Sequence, residues 1–343
     1  MLHYYFKMKT IILFSISVFI FNACSSATQL PDNKCIAYRA AFDVGSTTTK
    51  MKVARVNTCL QKNEAIIYKN EIRVPYAENK HSGIFSQQIR NTGITALQRL
   101  KEEAVNRKAE AFSGVATESF RQSGNTSEFL GEIKEKTGIP IKLIDQDQEA
   151  ILGYLAASSF FPGSSRNLIV WDIGGGSMQM ILRTENKEFT IYRGKTASVS
   201  FKEKILMQIL QRKPGKHSSP NPIGKENLKT AIEMAAVAAG DVPQNINKVM
   251  REPDAVIVGI GGVHNESIKK QITSNARYTQ EELINALNAR IELKDQDIGG
   301  PYADTEISNM ILVLGFMEKL GIKEVIPVNV NLADGVLIEP VFW

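Results

Sequence analysis

The chain has 343 residues, 43% of them hydrophobic, and its formal net charge at pH 7 is +5. This length is enough for two domains of ordinary size, each with a buried core. The positive charge is too mild for a nucleic-acid-binding surface, so no nucleic-acid duplex is expected as a partner.

The N-terminal segment has the pattern of an export signal. Two lysines precede a short apolar run, residues 10–21, which is too short to span a bilayer. The segment resembles a bacterial lipoprotein signal, which implies that residues 1–23 are removed and Cys24 is lipidated. We therefore expect a cell-envelope lipoprotein that faces the periplasm, is held to the membrane through Cys24, and has residues 24–35 as a tether. The alternative is that Cys24 is an ordinary buried cysteine.

The first motif, AAFDVGSTTTK, occupies residues 40–50. An apolar run leads into Asp43, and Gly45, Ser46 and Thr47 form the turn that follows. Glycine at such a turn lets backbone N–H groups approach an anion closely. The motif therefore predicts a phosphate-binding loop after the first strand.

Two cysteines flank this motif. If residues 37–43 and 50–56 pair as a hairpin that turns near Thr47, Cys35 and Cys59 fall opposite each other. We predict a disulfide between them, which an oxidising envelope compartment permits. Two independent free cysteines are the alternative.

Polar residues follow the next strands of the chain. The predicted elements are a strand at 64–76, a helix after Ser86, a strand at 111–116, a strand at 139–144 and a helix at 150–157. Arg121 follows the strand at 111–116, and Glu149 follows the strand at 139–144. Ligands of open α/β sheets lie beyond the carboxyl ends of strands, which favours a functional role for both. The polar group around Arg121 could also be a helix cap, and the acidic run that ends in Glu149 could also be a solvated helix start.

The second motif, LIVWDIGGGSMQ, occupies residues 168–179 and follows a predicted connector at 161–163. It repeats the layout of the first motif, and Asp172 lies 129 residues after Asp43, about one domain length. Its glycines and hydroxyl predict a second phosphate loop, formed by Gly174, Gly175, Gly176 and Ser177. A lone triple glycine could equally be an ordinary turn, but the repetition indicates an internal duplication.

A third strand runs into a glycine turn at residues 255–262, AVIVGIGG, which adds Gly261 and Gly262 to the candidate phosphate-binding residues. The other elements predicted for the second half are strands at 178–183 and 188–192 and helices at 198–211, 225–239, 280–289 and 305–320. The last of these helices is predicted to be amphipathic and capped by Asp304 or Thr305.

Together the motifs resemble the exopolyphosphatase and guanosine pentaphosphate phosphohydrolase family (Ppx/GppA). The matching stretches occur in family order at residues 40–50, 115–125, 141–157, 168–180, 258–268 and 331–339. The resemblance implies an α/β fold of two duplicated actin-like (ribonuclease H-like) domains around an interdomain cleft. We expect these domains at residues 36–160 and 161–334, with residues 335–343 packing back on the first.

The resemblance also assigns roles to residues. Glu149 falls on the catalytic glutamate that activates the attacking water, and Arg121 falls on a phosphate-contacting arginine. Asp43 and Asp172 are expected to hold Mg²⁺, partly through water, since magnesium prefers oxygen ligands. Gln179 and Gln148 depart from the family pattern, which has glutamates there, and an amide cannot replace a carboxylate as a metal ligand or base.

Three functions are consistent with these features. The first is an envelope-anchored, Mg-dependent phosphoric anhydride hydrolase of the Ppx/GppA type, which releases terminal phosphate from polyphosphate or a phosphorylated nucleotide. The second is a phosphate- or nucleotide-binding lipoprotein with weakened catalysis. The third is a transferase or an ATP-dependent activator, because residues 43–50 also resemble the opening of dehydratase activases. That reading needs cluster-ligating cysteines in the domain body, and none are present. The oligomeric state is left open, with a homodimer as one option.

Overall fold

A computed structural model describes residues 33–161, 167–215, 218–272 and 276–343. The predicted signal segment, Cys24 and part of the connector at 161–163 lie outside these ranges. None of the helices within them is long and apolar enough to cross a bilayer.

The chain forms two mixed sheets. The first sheet has the strand order β3-β2-β1-β4-β5, and the second has the order β10-β11-β9-β6-β7-β8. The strands are β1 (Ile36–Val44), β2 (Thr48–Asn57), β3 (Lys62–Arg73), β4 (Ala111–Ala116), β5 (Ile141–Leu143), β6 (Leu168–Ile173), β7 (Met178–Arg183), β8 (Phe189–Gly194), β9 (Val256–Ile260), β10 (Tyr278–Thr279) and β11 (Glu324–Pro327).

The two sheets share one topology. β1 pairs antiparallel with β2 and parallel with β4, and β6 pairs antiparallel with β7 and parallel with β9. Asp43 lies opposite Lys50 in the first hairpin, and Asp172 lies opposite Gln179 in the second. A shift of 129 residues converts one pairing into the other. The predicted α/β fold with a duplicated domain is therefore confirmed.

Helices cover the sheets. They are α1 (Gln87–Val105), α2 (Glu118–Arg121), α3 (Thr126–Thr137), α4 (Gln146–Ser158), α5 (Ser198–Lys204), α6 (Lys225–Ala239), α7 (Gln244–Met250), α8 (Lys269–Ile272), α9 (Gln280–Arg290), α10 (Asp295–Ile298), α11 (Ala303–Leu320) and α12 (Leu332–Ile338). Two π-helical turns, Ile205–Ile209 and Val263–Ile268, follow α5 and β9. The predicted helix at 198–211 is thus α-helical only to Lys204.

The prediction for α11 was wrong in two respects. The helix begins at Ala303, so neither Asp304 nor Thr305 is its N-cap, and Tyr302 at that position makes no side-chain capping bond. The helix is also buried on nearly all sides rather than amphipathic. It packs against α5, α6 and α9, so little of its surface reaches solvent.

Helices α4 and α12 lie between the two sheets. Leu152 of α4 packs with β1, β2 and α12, whereas Tyr154 and Ala157 of the same helix pack with β6 and β9. The two helices approach so closely that a Cβ atom on Gly335 would lie 2.4 Å from the carbonyl oxygen of Leu152. This crossing joins the core of the first sheet to that of the second.

The C-terminal residues pack on the first sheet. Lys52 Nζ lies 2.6 Å from Asp334 Oδ2 within the core, and Arg39 Nη1 donates to the Leu337 carbonyl at 2.9 Å. The Arg39 guanidinium also lies over the ring of Trp343, 4.5 Å from its centre. The last helix is thereby anchored to β1 and β2.

A disulfide joins Cys35 and Cys59, whose Cα atoms are 5.4 Å apart. The two residues sit at the open end of the β1–β2 hairpin, where Ile36 lies opposite Asn57. The hairpin register places them together, as the spacing around Thr47 indicated.

Candidate active site

Two turns of the same construction follow β1 and β6. We term residues 45–47 the first loop and residues 174–177 the second loop. The N–H of Gly45 donates to the Thr48 carbonyl at 3.0 Å, and the N–H of Gly174 donates to the Ser177 carbonyl at 2.9 Å. Each turn therefore has its own closing hydrogen bond at the same place in the repeat.

Carbonyl groups of both loops accept hydrogen bonds from the protein backbone, whereas several of the loop amides donate none. The carbonyls of Ser46 and Thr47 accept from the backbone N–H groups of Ala77 and Val74, at 2.8 and 3.1 Å. The second loop is tied in the same way: the Gly174 and Gly175 carbonyls accept from Ser198 and Val199. Within the described residues, the amides at 46, 47, 175 and 176 donate no backbone hydrogen bond. Such free amides form an anion-binding concavity.

The two loops face each other across one cleft. A Cβ atom on Gly176 would lie 2.7 Å from Ser46 Oγ, and one on Gly175 would lie 3.3 Å from Thr47 Cγ2. The cleft has a volume of about 1570 Å³. It is lined by both loops and, among the other predicted site residues, by Asp43, Glu149, Asp172, Gly261 and Gly262. One cleft thus unites the three glycine turns and the three predicted acids.

Asp43 and Asp172 are deeply placed in the cleft. Burial raises the pKa of Asp172 to about 6, with Lys50 opposing and Asp43 adding to the increase. Burial also raises the pKa of Asp43, against the effect of Lys50, whose Nζ lies 3.9 Å from Asp43 Oδ2. Burial alone would lower the pKa of Lys50, but Asp43 and the carboxylates around it raise it. A further positive charge in the cleft would stabilise the ionised form of each carboxylate.

Asp43 and Asp172 have the chemistry to supply part of the ligand set of a magnesium ion. No group of three His, Cys, Asp or Glu side chains that could hold a metal occurs in the described part of the chain. Mg²⁺ is commonly bound through one or two carboxylates with water and substrate phosphates completing the shell. Asp43 and Asp172 supply such a pair beside the first and second loops, and a Cβ atom on Gly261, whose φ is +83°, would lie 2.5 Å from Asp172 Oδ1.

The acidic run before α4 separates into three environments. Asp145 is the N-cap, and its Oδ1 accepts from the N–H of Gln148 at 2.8 Å while the Gln148 side chain accepts from the Asp145 N–H. Asp147 forms a bidentate pair with Arg193. Glu149 is turned into the cleft. The helix begins at Gln146, earlier than predicted, so these acidic residues lie at its N-terminal end. On a helix, side chains two residues apart point to different sides, which explains the three environments.

Glu149 is held between a hydroxyl and a guanidinium. Ser177 Oγ donates to Glu149 Oε1 at 3.0 Å, and Arg121 Nη1 lies 2.9 Å from Glu149 Oε2. Only 6% of the residue is exposed. Burial raises the pKa of Glu149 to about 7, an effect that Arg121 opposes and Asp172 reinforces. A carboxylate with such a pKa is suited to general-base work near neutral pH.

Arg121 lies behind Glu149. Its Nη1 donates to the Ile144 carbonyl at 2.8 Å, and its Nη2 donates to Glu118 Oε2 at 2.7 Å. It is not among the described residues that line the cleft. The structure therefore places Arg121 against Glu149, and its direct contact with phosphate stays a prediction.

Gln179 is buried beside the second loop. The residue is 1% exposed, and its Nε2 has no hydrogen-bond partner among the described residues. Leaving a buried polar group unpaired costs about 1–3 kcal/mol. Lys50 occupies the equivalent position of the first repeat, so the duplicated site has a cation in one half and an amide in the other.

Sequence patterns did not single out two residues of the cleft. Lys50 ends the first motif but was given no role, although its equivalence to Gln179 in the repeat was a signal. Tyr302 hydroxyl lies 3.3 Å from Thr48 Oγ1, and the Arg73 guanidinium lies 5.2 Å from the centre of the Tyr302 ring. Tyr302 comes from a turn in the second half of the chain, and no local pattern connects it with the first loop.

Comparison with known families shows one match. Residues 65–211 match the model of the Ppx/GppA phosphatase family. This range contains Arg121, Glu149 and the second loop. The resemblance to this family that the motifs indicated is confirmed.

Two curated relatives extend the match. A bifunctional 3-dehydroquinate synthase/phosphatase of Fusobacterium nucleatum is 25% identical over 295 residues, which cover 78% of this chain and 43% of that protein. A guanosine-5'-triphosphate,3'-diphosphate pyrophosphatase of Vibrio vulnificus is 30% identical over 144 residues, which cover 42% of this chain and 28% of that protein. The chain thus spans less than half the length of these relatives.

The fold is shared with a solved structure. The Aquifex aeolicus PPX-GPPA enzyme superposes with a TM-score of 0.68 at 19% identity, covering 88% of this chain and 99% of that one. At this identity the likeness concerns the fold. It confirms the predicted pair of actin-like domains.

Proposed function

We propose that this chain, whose residues 65–211 match the Ppx/GppA phosphatase family, is an Mg-dependent phosphohydrolase anchored in the cell envelope. It would release terminal phosphate from polyphosphate or a phosphorylated nucleotide. The observation that carries the proposal is the position of Glu149. It is a buried carboxylate with a raised pKa, and it lines the same cleft as two neighbouring loops whose amides at 46, 47, 175 and 176 donate no backbone hydrogen bond.

In the proposed mechanism the phosphates lie against the amides of the two loops, which stabilise charge on the equatorial oxygens. Glu149 takes a proton from a water molecule that attacks the terminal phosphorus in line with the leaving oxygen. The P–O bond to the rest of the substrate breaks, and the shortened substrate leaves with the bonding electron pair. The Ser177 hydroxyl orients the carboxylate and Arg121 favours its ionised form. Mg²⁺ at Asp43 and Asp172 would supply charge neutralisation.

The direct test measures phosphate release from long-chain polyphosphate, guanosine pentaphosphate and ATP, each with Mg²⁺. We expect release from at least one of them, abolished by chelation. Glu149→Gln keeps the size of the side chain and its bond with Ser177 but removes the base, and should lower kcat by about 10²–10⁴-fold. Absence of release from all three, with binding retained, would reject the hydrolase.

The buried amide of Gln179 supports a second candidate function, that of a phosphate- or nucleotide-binding lipoprotein with weakened catalysis. Its Nε2 has no partner among the described residues, and it stands two residues after Ser177, which holds the base. If the amide limits turnover, Gln179→Glu should raise kcat. Gln88→Glu is the matched control, because Gln88 is exposed on α1 and is not among the described residues that line the cleft. Equal effects of the two variants would dismiss Gln179 as the cause.

Envelope location is supported by two features. The N-terminal pattern resembles a lipoprotein signal, and the structure contains the Cys35–Cys59 disulfide. Disulfides persist mainly in oxidising compartments such as the periplasm.

A further inference from the structure

The charges around the cleft are unevenly balanced. Acidic side chains outnumber basic ones among the residues that line it. The excess extends beyond Asp43, Asp172 and Glu149, since Glu71, Glu266 and other carboxylates line the outer part. A substrate of high negative charge therefore enters a site whose own side chains are negative on balance.

Three of the six basic side chains that line the cleft lie beside carboxylates. Lys202 Nζ lies 2.7 Å from Asp304 Oδ2, and Lys270 Nζ lies 2.5 Å from Glu266 Oε2. Lys50 Nζ lies 3.9 Å from Asp43 Oδ2.

Three other basic side chains of the cleft, Arg73, Lys213 and Arg290, have no carboxylate within ion-pair distance among the described residues. Arg73 Nη1 donates to the Pro301 carbonyl at 2.7 Å, and Arg290 is close enough to Glu306 to lower its pKa, although burial raises that pKa overall.

A long polyanion needs the opposite arrangement. Such chains bind through uncompensated Lys and Arg side chains, and their affinity falls steeply with salt because counterions are released. In a compact substrate that binds together with a divalent cation, the cation neutralises part of the phosphate charge. The acidic side chains around the cleft attract that cation. The cleft volume of about 1570 Å³ exceeds that of an ordinary ligand pocket, so room does not exclude a nucleotide.

We propose that this cleft selects short phosphate compounds bound as their divalent-cation complexes, such as a tripolyphosphate or a nucleotide, and discriminates against long-chain polyphosphate. The inference rests on the proposed function for the identity of the site and names the substrate class that the site takes. The paired lysines, Lys202 and Lys270, are its specificity-determining residues.

The test compares tripolyphosphate, ATP and long-chain polyphosphate at equal concentrations of chain ends, with Mg²⁺. Initial rates of phosphate release are measured with the full-length wild-type protein. Dissociation constants are measured by titrating each compound into the Glu149→Gln variant. We expect kcat/KM and affinity at least about tenfold higher for the short compounds, with a shallow dependence on salt. Equal or tighter binding of the long chain, with a steep salt dependence, would overturn the inference.

The binding arm separates this inference from the hydrolase proposal. If wild type releases no phosphate but Glu149→Gln still prefers the short compounds, the hydrolase fails and the selectivity stands. If phosphate is released fastest from long chains, the hydrolase stands and the selectivity fails.

Two variants test the pairing itself. Asp304→Asn and Glu266→Gln free Lys202 and Lys270, and each should strengthen binding of long-chain polyphosphate more than that of tripolyphosphate, together by about tenfold. Glu233→Gln is the matched control, because it removes the same charge from an exposed pair with Lys229 that does not line the cleft. An equal gain in the control, or none in the two variants, would show that cleft pairing does not set the selectivity.

Discussion

At the scale of single residues, the properties of Glu149 depend on its surroundings. Burial penalises the charged carboxylate, and the nearby Arg121 partly offsets that penalty, which leaves the pKa at about 7. An exposed glutamate titrates near 4.3 and would be a weak base at neutral pH. The same side chain is therefore a competent proton acceptor only because it is buried beside one cation.

The pH dependence of turnover tests this arrangement. A general base acts when ionised, so kcat/KM should fall as the pH drops below about 7. Arg121→Gln removes the charge that favours the carboxylate, so the pKa of Glu149 should rise and the ascending limb should move to higher pH by about one unit or more. The measurement is the pH profile of kcat/KM for both proteins.

Arg193→Gln is the control for this experiment. It breaks the exposed pair with Asp147 on the same helix but leaves Glu149 and Arg121 in contact. Its profile should match that of wild type. An unmoved limb in Arg121→Gln would show that Arg121 does not tune the base.

At the scale of elements, the crossing of α4 and α12 connects the base to the body of the protein. Glu149 is in the first turn of α4, and the same helix packs three residues later, at Leu152, against α12 and the first sheet. The position of the carboxylate therefore depends on how closely the two helices approach.

Gly335→Ala tests this crossing. The added Cβ atom would meet the backbone of Leu152 at 2.4 Å, so a helix must shift. We expect a loss of about 1–3 kcal/mol in the free energy of unfolding, together with a lower kcat. Urea denaturation and phosphate release measure the two effects.

Gly131→Ala in α3 is the matched control. A Cβ atom there meets nothing within 4 Å, so the substitution should leave stability unchanged or raise it by up to about 1 kcal/mol. If Gly335→Ala is as stable and active as this control, the close approach of α4 and α12 does not hold the base in place.

At the scale of the whole molecule, the proposed anchor decides where the cleft operates. Cys24→Ser removes the thiol that would carry the lipid, and residues 24–35 would no longer hold the chain to a membrane. We expect wild type in the membrane fraction and the variant in the soluble fraction, measured by fractionation of cells and by incorporation of a labelled fatty acid. Identical fractionation without label in either protein would refute the lipoprotein assignment.

The sequence alone was sufficient for the loops and the acids that follow the strands. A buried strand, an aspartate and a glycine turn are contiguous in the chain, and their repetition after 129 residues predicted two domains of one topology. The disulfide followed from the same local geometry, since the pairing of two adjacent strands fixes which residues lie opposite each other.

The tertiary structure decided what depends on residues far apart in the chain. It placed Arg121 against Glu149 rather than on the lining of the cleft, set Lys50 between Asp43 and Asp172, and brought Tyr302 to Thr48. It also buried α11 on nearly all sides, where the amphipathic pattern predicted one exposed face. Local patterns specify which groups end a strand, whereas burial and charge pairing arise from contacts between segments, and these set the pKa of each acid.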